Sequence, residues 1–350
     1  MIDMNILRTI IFILSLPSFA FDGNCQCVSG DCENGFGKYI YREGIYEGDW
    51  QNGKWHGNGK RTLNNGFYKK GIWESGKFIE GQVREKLNDG IIYEGSIFSE
   101  KPHGNGKMTY PDGSYYKGTF NNSIPEGKGE LKQSDGSFYS GGFLNGMRHG
   151  YGKQTYSDGS TYSGNWHEDK CQGKGVWMSK NGLTKYKGDF FNDEFNGFGV
   201  WENEAGDTYE GEFRNGQRHG KGKLKNKSGE SCSGDWKNGE PYGIDTIITA
   251  EYKYIGQVEN WVKKGVGEIW KKDGTHYKGE WEHDDYNGKG VRTEPNGRTL
   301  SCLTTTGNFV DGCQVGVFID CAPNESTCQE CEWKDCQTRV LPCRLIKKIK

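Results

Sequence analysis

The residues able to do chemistry in this 350-residue chain are few in kind and regularly placed. His56, His103, His149 and His219, four of seven histidines, each stand just before a Gly-x-Gly. Imidazoles could share a metal or a proton only if they converged. Because they occupy one position of a sequence period, the closest pair falls two repeats apart, roughly 19 Å along a sheet. His283, with Glu282, Asp284 and Asp285, reads as a solvated polar turn rather than a cation site. The Gly-x-Gly segments invite a phosphate-loop reading, but none carries a third glycine at the required spacing. Each runs into a strand-like stretch such as Gly175-Val176-Trp177, where no helix N-terminus would meet an anion. No acid, base and nucleophile converge. The sequence therefore offers no catalytic, cofactor-binding or metal-binding residue.

Twelve cysteines are a second class of reactive group. Cys25, Cys27 and Cys32 crowd the start, and Cys302, Cys313, Cys321, Cys328, Cys331, Cys336 and Cys343 the last fifty residues. These ten read as disulfide candidates fastening two small caps, with zinc at Cys328-x-x-Cys331 the lesser reading. Cys171 is expected in a loop and Cys232 in a strand nearly three repeats on, too far apart to bridge in a regular sheet. One or both are expected to be free thiols. Carboxylates form a third set. Asp189, Glu212 and Asp235 come from consecutive repeats and share a face, an acidic ladder that serves either solubility or the docking of a basic partner.

What must position all of these is a repeat. Tyr116-Lys117-Gly118-Thr119-Phe120 is followed by Gly127-Lys128-Gly129 and then Asp135-Gly136, and the phrase recurs. Aligned on its glycine, it starts at 46, 69, 93, 116, 139, 162, 186, 209, 232, 254 and 277, a step of about 23 residues. In a strand, residues i, i+2 and i+4 share a face. Tyr-x-Gly-x-aromatic thus sets two rings on one side of a bare glycine, which the rings can cover. Asn65-Gly66, Asp89-Gly90, Asp112-Gly113, Asp158-Gly159, Asn181-Gly182 and Asp273-Gly274 are expected to form type I′ turns joining the repeats. The expected fold is all-β: an elongated single-layer antiparallel sheet of about eleven β-hairpins with cysteine-rich caps. The second repeat departs from the rule with Lys69 and Gly81-Gln82-Val83, and the ninth with Cys232. The aliphatic stretch 244–252 lacks an Asp-Gly turn, so a distorted or longer connection is expected there.

Fifty-five glycines with 33% hydrophobic and 13% aromatic residues suit such a thin sheet better than a two-layer core, and exclude disorder. A net charge of −2 leaves no basic excess for nucleic acid. Arg8, the apolar run Thr9–Leu16 and Ser18-Phe19-Ala20 read as a secretory signal peptide cut after Ala20, which predicts an exported protein. The expected domains are a signal peptide at 1–20, an N-terminal cysteine cap with a half repeat at 21–45, the repeat array at 46–300 and a cysteine-rich cap at 301–350.

The phrase and its spacing resemble the MORN repeat (membrane occupation and recognition nexus), over residues 35 to about 300. The resemblance implies a single-layer sheet used for scaffolding, membrane-proximal positioning and partner binding. It implies an unidentified protein partner, with a phospholipid surface as the alternative, and neither a small-molecule substrate nor a cofactor.

Overall fold

The computed structural model describes residues 25–293, Pro295 and, beyond them, the backbone of five short strands. The expected signal peptide, Cys336 and Cys343 lie outside the described residues, as do the side chains of the other five C-terminal cysteines. The chain forms two compact units, residues 1–181 and 182–350. All-β architecture holds in both; the one helical turn among the described residues is a 3-10 turn at Asn88–Gly90.

In the first unit β1 (Gln26–Gly30) and β2 (Phe36–Tyr41) precede six hairpins. These are β3 (Gly44–Gln51) with β4 (Lys54–Leu63), β5 (Tyr68–Glu74) with β6 (Lys77–Lys86), β7 (Ile92–Phe98) with β8 (Lys101–Thr109), β9 (Tyr115–Asn121) with β10 (Ile124–Lys132), β11 (Phe138–Leu144) with β12 (Met147–Thr155), and β13 (Thr161–His167) with β14 (Lys170–Met178). Each strand pairs antiparallel with the next in sequence. The second unit repeats the pattern in β15 (Lys185–Phe191), β16 (Glu194–Glu202), β17 (Thr208–Arg214), β18 (Gln217–Lys225), β19 (Ser231–Lys237), β20 (Glu240–Ile248), β21 (Tyr252–Glu259), β22 (Val262–Lys271), β23 (His276–Glu282) and β24 (Asp285–Thr293). β25 (Thr299–Cys302), β26 (Asn308–Val310), β27 (Cys313–Cys321), β28 (Thr327–Trp333) and β29 (Arg344–Lys347) extend it antiparallel. All eleven periods found in the sequence are hairpins, including the irregular second and ninth.

The turns correct the sequence reading. The two-residue turn with positive φ at both positions lies inside each repeat, after the aromatic strand: Asn52-Gly53, Ser99-Glu100, Asn145-Gly146, Asn192-Asp193 and Asn260-Trp261 are five of eleven. Such turns match the twist of flanking strands, and asparagine tolerates the left-handed region best. Of the Asp-Gly and Asn-Gly dipeptides expected to do this, only Asp89-Gly90 has both φ positive; elsewhere only the glycine does. Those dipeptides end a wider loop between repeats. Gly113 N–H donates to the Tyr110 carbonyl, and the Asp112 carboxylate accepts from Ser114 N–H at 2.9 Å and Ser114 Oγ at 2.6 Å. Asp135, Asp158 and Asp273 accept the backbone N–H two residues on in the same way. The aspartate is there for its side-chain acceptor, not for its φ.

Two more expectations change. Cys171 belongs to β14, not to a loop, and its side chain is buried. The connection after Ile248 is shorter than its counterparts: Thr249-Ala250-Glu251, closed by Thr249 N–H on the Tyr252 carbonyl, with β20 and β21 paired without a register shift. At the start, Cys27 and Cys32 form a disulfide that ties the β1–β2 connection, while Cys25 bonds to no cysteine among the described residues.

Candidate functional site

The two faces of each hairpin divide the labour, and the first explains the motif. Tyr46, Tyr93, Tyr116, Tyr139, Tyr162, Tyr186, Tyr209, Tyr254 and Tyr277 are all buried on one face. Each ring lies across its own Gly and the glycine paired with it on the next strand. Tyr116 covers Gly118 and Gly129, which are directly paired, and a Cβ on Gly129 would sit 2.6 Å from the ring. The fifth-position ring packs edge-on to two tyrosines: Phe143 lies 5.2 Å from Tyr139 and 4.9 Å from Tyr116, both near perpendicular. Edge-to-face contact of this kind adds to the gain from area alone. Where the fifth residue is Trp, its indole N–H donates to the carbonyl of a Gly-x-Gly glycine, as Trp73 does to Gly59 and Trp236 to Gly222.

Each hairpin also contains a bulge that the sequence did not reveal. Gly118 pairs with Gly129 and Thr119 with Glu126, so Gly127 and Lys128 are extra residues on β10. Gly127 has φ 72°, a conformation costly for any residue with a Cβ. The bulge leaves the fourth-position carbonyl outside the ladder, and the tyrosine hydroxyl donates to it: Tyr93 to Ser96 O at 2.7 Å, Tyr139 to Gly142 O at 2.9 Å, Tyr277 to Glu280 O at 2.7 Å. Burial pushes the Tyr93 and Tyr139 phenols above their usual range, to about 12 for Tyr139. The second repeat, which lacks Gly-x-Gly, shifts by a single residue between Ile72 and Trp73. The ninth repeat, with Gly243-Ile244-Asp245, keeps the two-residue shift, so the bulge does not depend on the second glycine.

The acidic ladder has a place in this bulge. Glu212 accepts the backbone N–H of Lys221 at 3.1 Å, as Asp49 accepts that of Asn58 at 2.8 Å. Asp189 lies against Gly197 and Asp235 against Gly243, the corresponding bulge glycines. Other side chains stand between the acids. Phe198 stands beside Glu212 and Lys221 beside Asp235 in register, and Lys221 Nζ is 2.7 Å from Asp235.

The remaining predicted residues are placed as follows. His56, His103, His149 and His219 lie beside the bulges on β4, β8, β12 and β18. His149 neighbours His167 with 5.1 Å between ring centres, and His103 neighbours Phe98. His283 and Asp284 form the turn of the eleventh repeat, and Asp284 accepts from the Lys263 ammonium at 2.9 Å. No group of three or more His, Cys, Asp or Glu among the described residues could hold a metal. Sequence reasoning missed the half-buried cations that lie against the rings. The Arg148 guanidinium lies 4.1 Å from the Trp166 ring centre and donates to Asp169 and Gln154; Arg218 stacks likewise on Trp236. Their common position, the second residue of the returning strand, was the available signal.

The ninth repeat replaces two members of the rule together. Cys232 stands for the tyrosine and Asp245 for the second glycine. The Asp245 carboxyl fills the space above Gly234 that a tyrosine hydroxyl occupies elsewhere. Asp245 is 1% exposed; Oδ1 accepts the Cys232 thiol at 3.8 Å, and Oδ2 has no partner among the described residues. Burial, opposed by the Cys232 hydrogen bond and helped by nearby Asp235, lifts its pKa from 3.8 to about 6. Burial with the same carboxyl pushes Cys232 up to about 12, the opposite of an activated thiol.

The outer face carries the exposed apolar side chains. The middle residue of Gly-x-Gly points there, and Tyr151, Phe198, Ile244 and Val266 are 63%, 52%, 64% and 62% exposed.

This geometry belongs to a known class. The MORN repeat matches at residues 46–67, 93–115, 116–138, 139–161, 162–184, 186–208, 209–231 and 277–297, and the chain belongs to the MORN-repeat family. The second, ninth and tenth periods fall outside those matches, although each folds as a hairpin. The family defines a repeat scaffold for protein or membrane binding. No curated protein sequence matches the chain. Among solved structures, the TCP10 domain of Danio rerio CPAP in complex with a STIL peptide aligns at 11% identity and TM-score 0.35, over 66% of this chain and 98% of that one. The Drosophila melanogaster SAS-4 TCP domain with a proline-rich motif of Ana2 aligns at 13% identity and TM-score 0.24, over 63% and 99%.

Proposed function

We propose that this chain is an exported, non-enzymatic scaffold that binds a protein partner through the outer faces of its repeats. The observation that carries the reading is the division of faces. Rings, glycines and tyrosine hydroxyls use up the inner face, while Tyr151, Phe198, Ile244 and Val266 stand exposed at one repeat position of the other. Exposed apolar side chains rimmed by charge suit a partner surface. Asp189, Glu212 and Asp235 border Phe198 and Ile244 and would set the charge of what binds there. The signal-like segment 1–20 and the Cys27–Cys32 disulfide support export, since such bonds persist in oxidising compartments. The test is affinity capture from envelope extracts with the full mature chain and with a Phe198→Asp/Ile244→Asp variant. Loss of a captured protein in the variant supports the reading. Salt-sensitive sedimentation with anionic vesicles, without protein capture, would replace it with the phospholipid-binding alternative.

A further inference from the structure

We infer that the outer face of the third to fifth repeats is a docking groove for an extended, acidic polypeptide segment. The inference rests on the protein-binding reading above and names the chemistry of the partner. A shallow groove crosses β9 to β12, lined by Lys117, Lys128, Glu130, Ser140, Tyr151 and Lys153 around bare glycine backbone. Lys107 adjoins it, directly paired with Lys117 across β8 and β9.

Three observations point to a carboxylate-rich occupant. The first is the loss of the bulge acid. The fourth position, occupied by Asp189, Glu212 and Asp235 in the second unit, holds Ser96, Thr119 and Gly142 here. Lys221, at the repeat position of Lys128, is held by Asp235 at 2.7 Å. Lys107, Lys117, Lys128 and Lys153 make no ion pair with a described residue. The second is the Lys107–Lys117 pairing, because like charges directly opposite on a sheet repel and a bound anion relieves them. Lys107 partly offsets this by lying over the Tyr115 ring at 4.4 Å, and Glu94 on its other side is engaged by Arg84 at 3.8 Å. The third is the exposed Tyr151 ring, which lines the same groove as Lys128 and Lys153 and gives an apolar contact beside the cations.

Four lysines against Glu130 leave the groove positive. From Lys107 on β8 to Lys153 on β12 is four strand spacings, about 19 Å, the length of roughly six extended residues. Glu130 and Ser140 inside the groove favour a polypeptide over a lipid surface, because they can meet main-chain N–H and C=O groups that a headgroup layer lacks.

The test is fluorescence anisotropy of a labelled acidic octapeptide, alternating glutamate and tyrosine, titrated with the full mature chain. The expected result is salt-sensitive binding, weakened at least tenfold by K117E/K128E and unchanged by K221E, whose lysine is already paired. Thermal unfolding of the variants checks that both fold. Absence of peptide binding, or binding that K117E/K128E leaves intact, overturns the inference. So does vesicle binding by the wild-type chain that K117E/K128E abolishes while the peptide stays unbound, which would assign the lysines to an anionic membrane. If K117E/K128E still captures the envelope partner although the peptide fails, the docking inference falls and the scaffold reading stands.

Discussion

Asp245 makes a prediction whose sign is fixed by burial. Folding raises its pKa from 3.8 to about 6, so the folded chain keeps a proton that the unfolded chain has released. Stability contributed by this group is full below about pH 4, falls as pH rises through about 6, and is flat above. A difference of about two units corresponds to about 3 kcal/mol of cost at neutral pH. Replacing the carboxyl by the isosteric amide in Asp245→Asn removes the charge but buries an amide, whose unpaired N–H costs about 1 kcal/mol of that back. The variant should be about 1–2 kcal/mol more stable than wild type at pH 7.5, and no more stable at pH 4. Urea unfolding from pH 4 to 8, with hydrogen exchange over 231–259 to localise the effect, measures both. Asp112, Asp158 and Asp273 have carboxyls lowered by hydrogen bonds from a side-chain hydroxyl and a backbone N–H, so they act with the opposite sign. They are common to both proteins and cancel in the difference. The double replacement Cys232→Tyr/Asp245→Gly, which restores the repeat rule, should also lose the slope. Parallel stability–pH curves for wild type and Asp245→Asn would refute the argument.

Other substitutions test the remaining rules. Tyr139→Phe keeps the ring but strips the donor from the Gly142 carbonyl, and should cost about 1–2 kcal/mol by denaturant unfolding. Gly129→Ala drives a Cβ to 2.6 Å from the Tyr116 ring and should cost about 1–3 kcal/mol, read as a fall in midpoint at unchanged m-value. Cys27→Ser opens a loop of sequence separation 5, worth about 2 kcal/mol by chain entropy, and should speed amide exchange in β1 and β2 while leaving β10 to β14 unchanged.

How much of this was legible depended on whether a feature belongs to one strand or to a pair. The step of about 23 residues, the alternation of faces and the covering of glycine by rings are single-strand properties, and Tyr116-Lys117-Gly118-Thr119-Phe120 displays them directly. The bulge is a property of two strands: it exists because Thr119 faces Glu126 while Gly118 faces Gly129. Nothing local to Gly127-Lys128-Gly129 announces that count. The tight turns were misplaced because Ser99-Glu100 and His283-Asp284 adopt the same two positive φ values as Asn145-Gly146. The strands on either side impose that geometry where the dipeptide alone would not choose it. Asp112-Gly113 looked like the better candidate, but its aspartate is used as a side-chain acceptor. Cys171 shares its place in the period with Arg148 and Arg218, which face the rings, and that place puts it in a strand and not in a loop. The Cys232–Asp245 exchange could be seen as two oddities but not as one, since the partners are 13 residues apart and meet only across paired strands.

Tyr116 and Lys117 are neighbours on one strand and face opposite ways, so they separate scaffold from binding surface most sharply. The decisive measurement is titration of the acidic octapeptide into Tyr116→Phe and Lys117→Glu full-length chains, with the unfolding midpoint of each recorded. The account predicts that Tyr116→Phe unfolds earlier and binds as wild type, while Lys117→Glu keeps its midpoint and binds several-fold more weakly. Equal affinity in the two variants, or a weaker affinity in Tyr116→Phe alone, would contradict it.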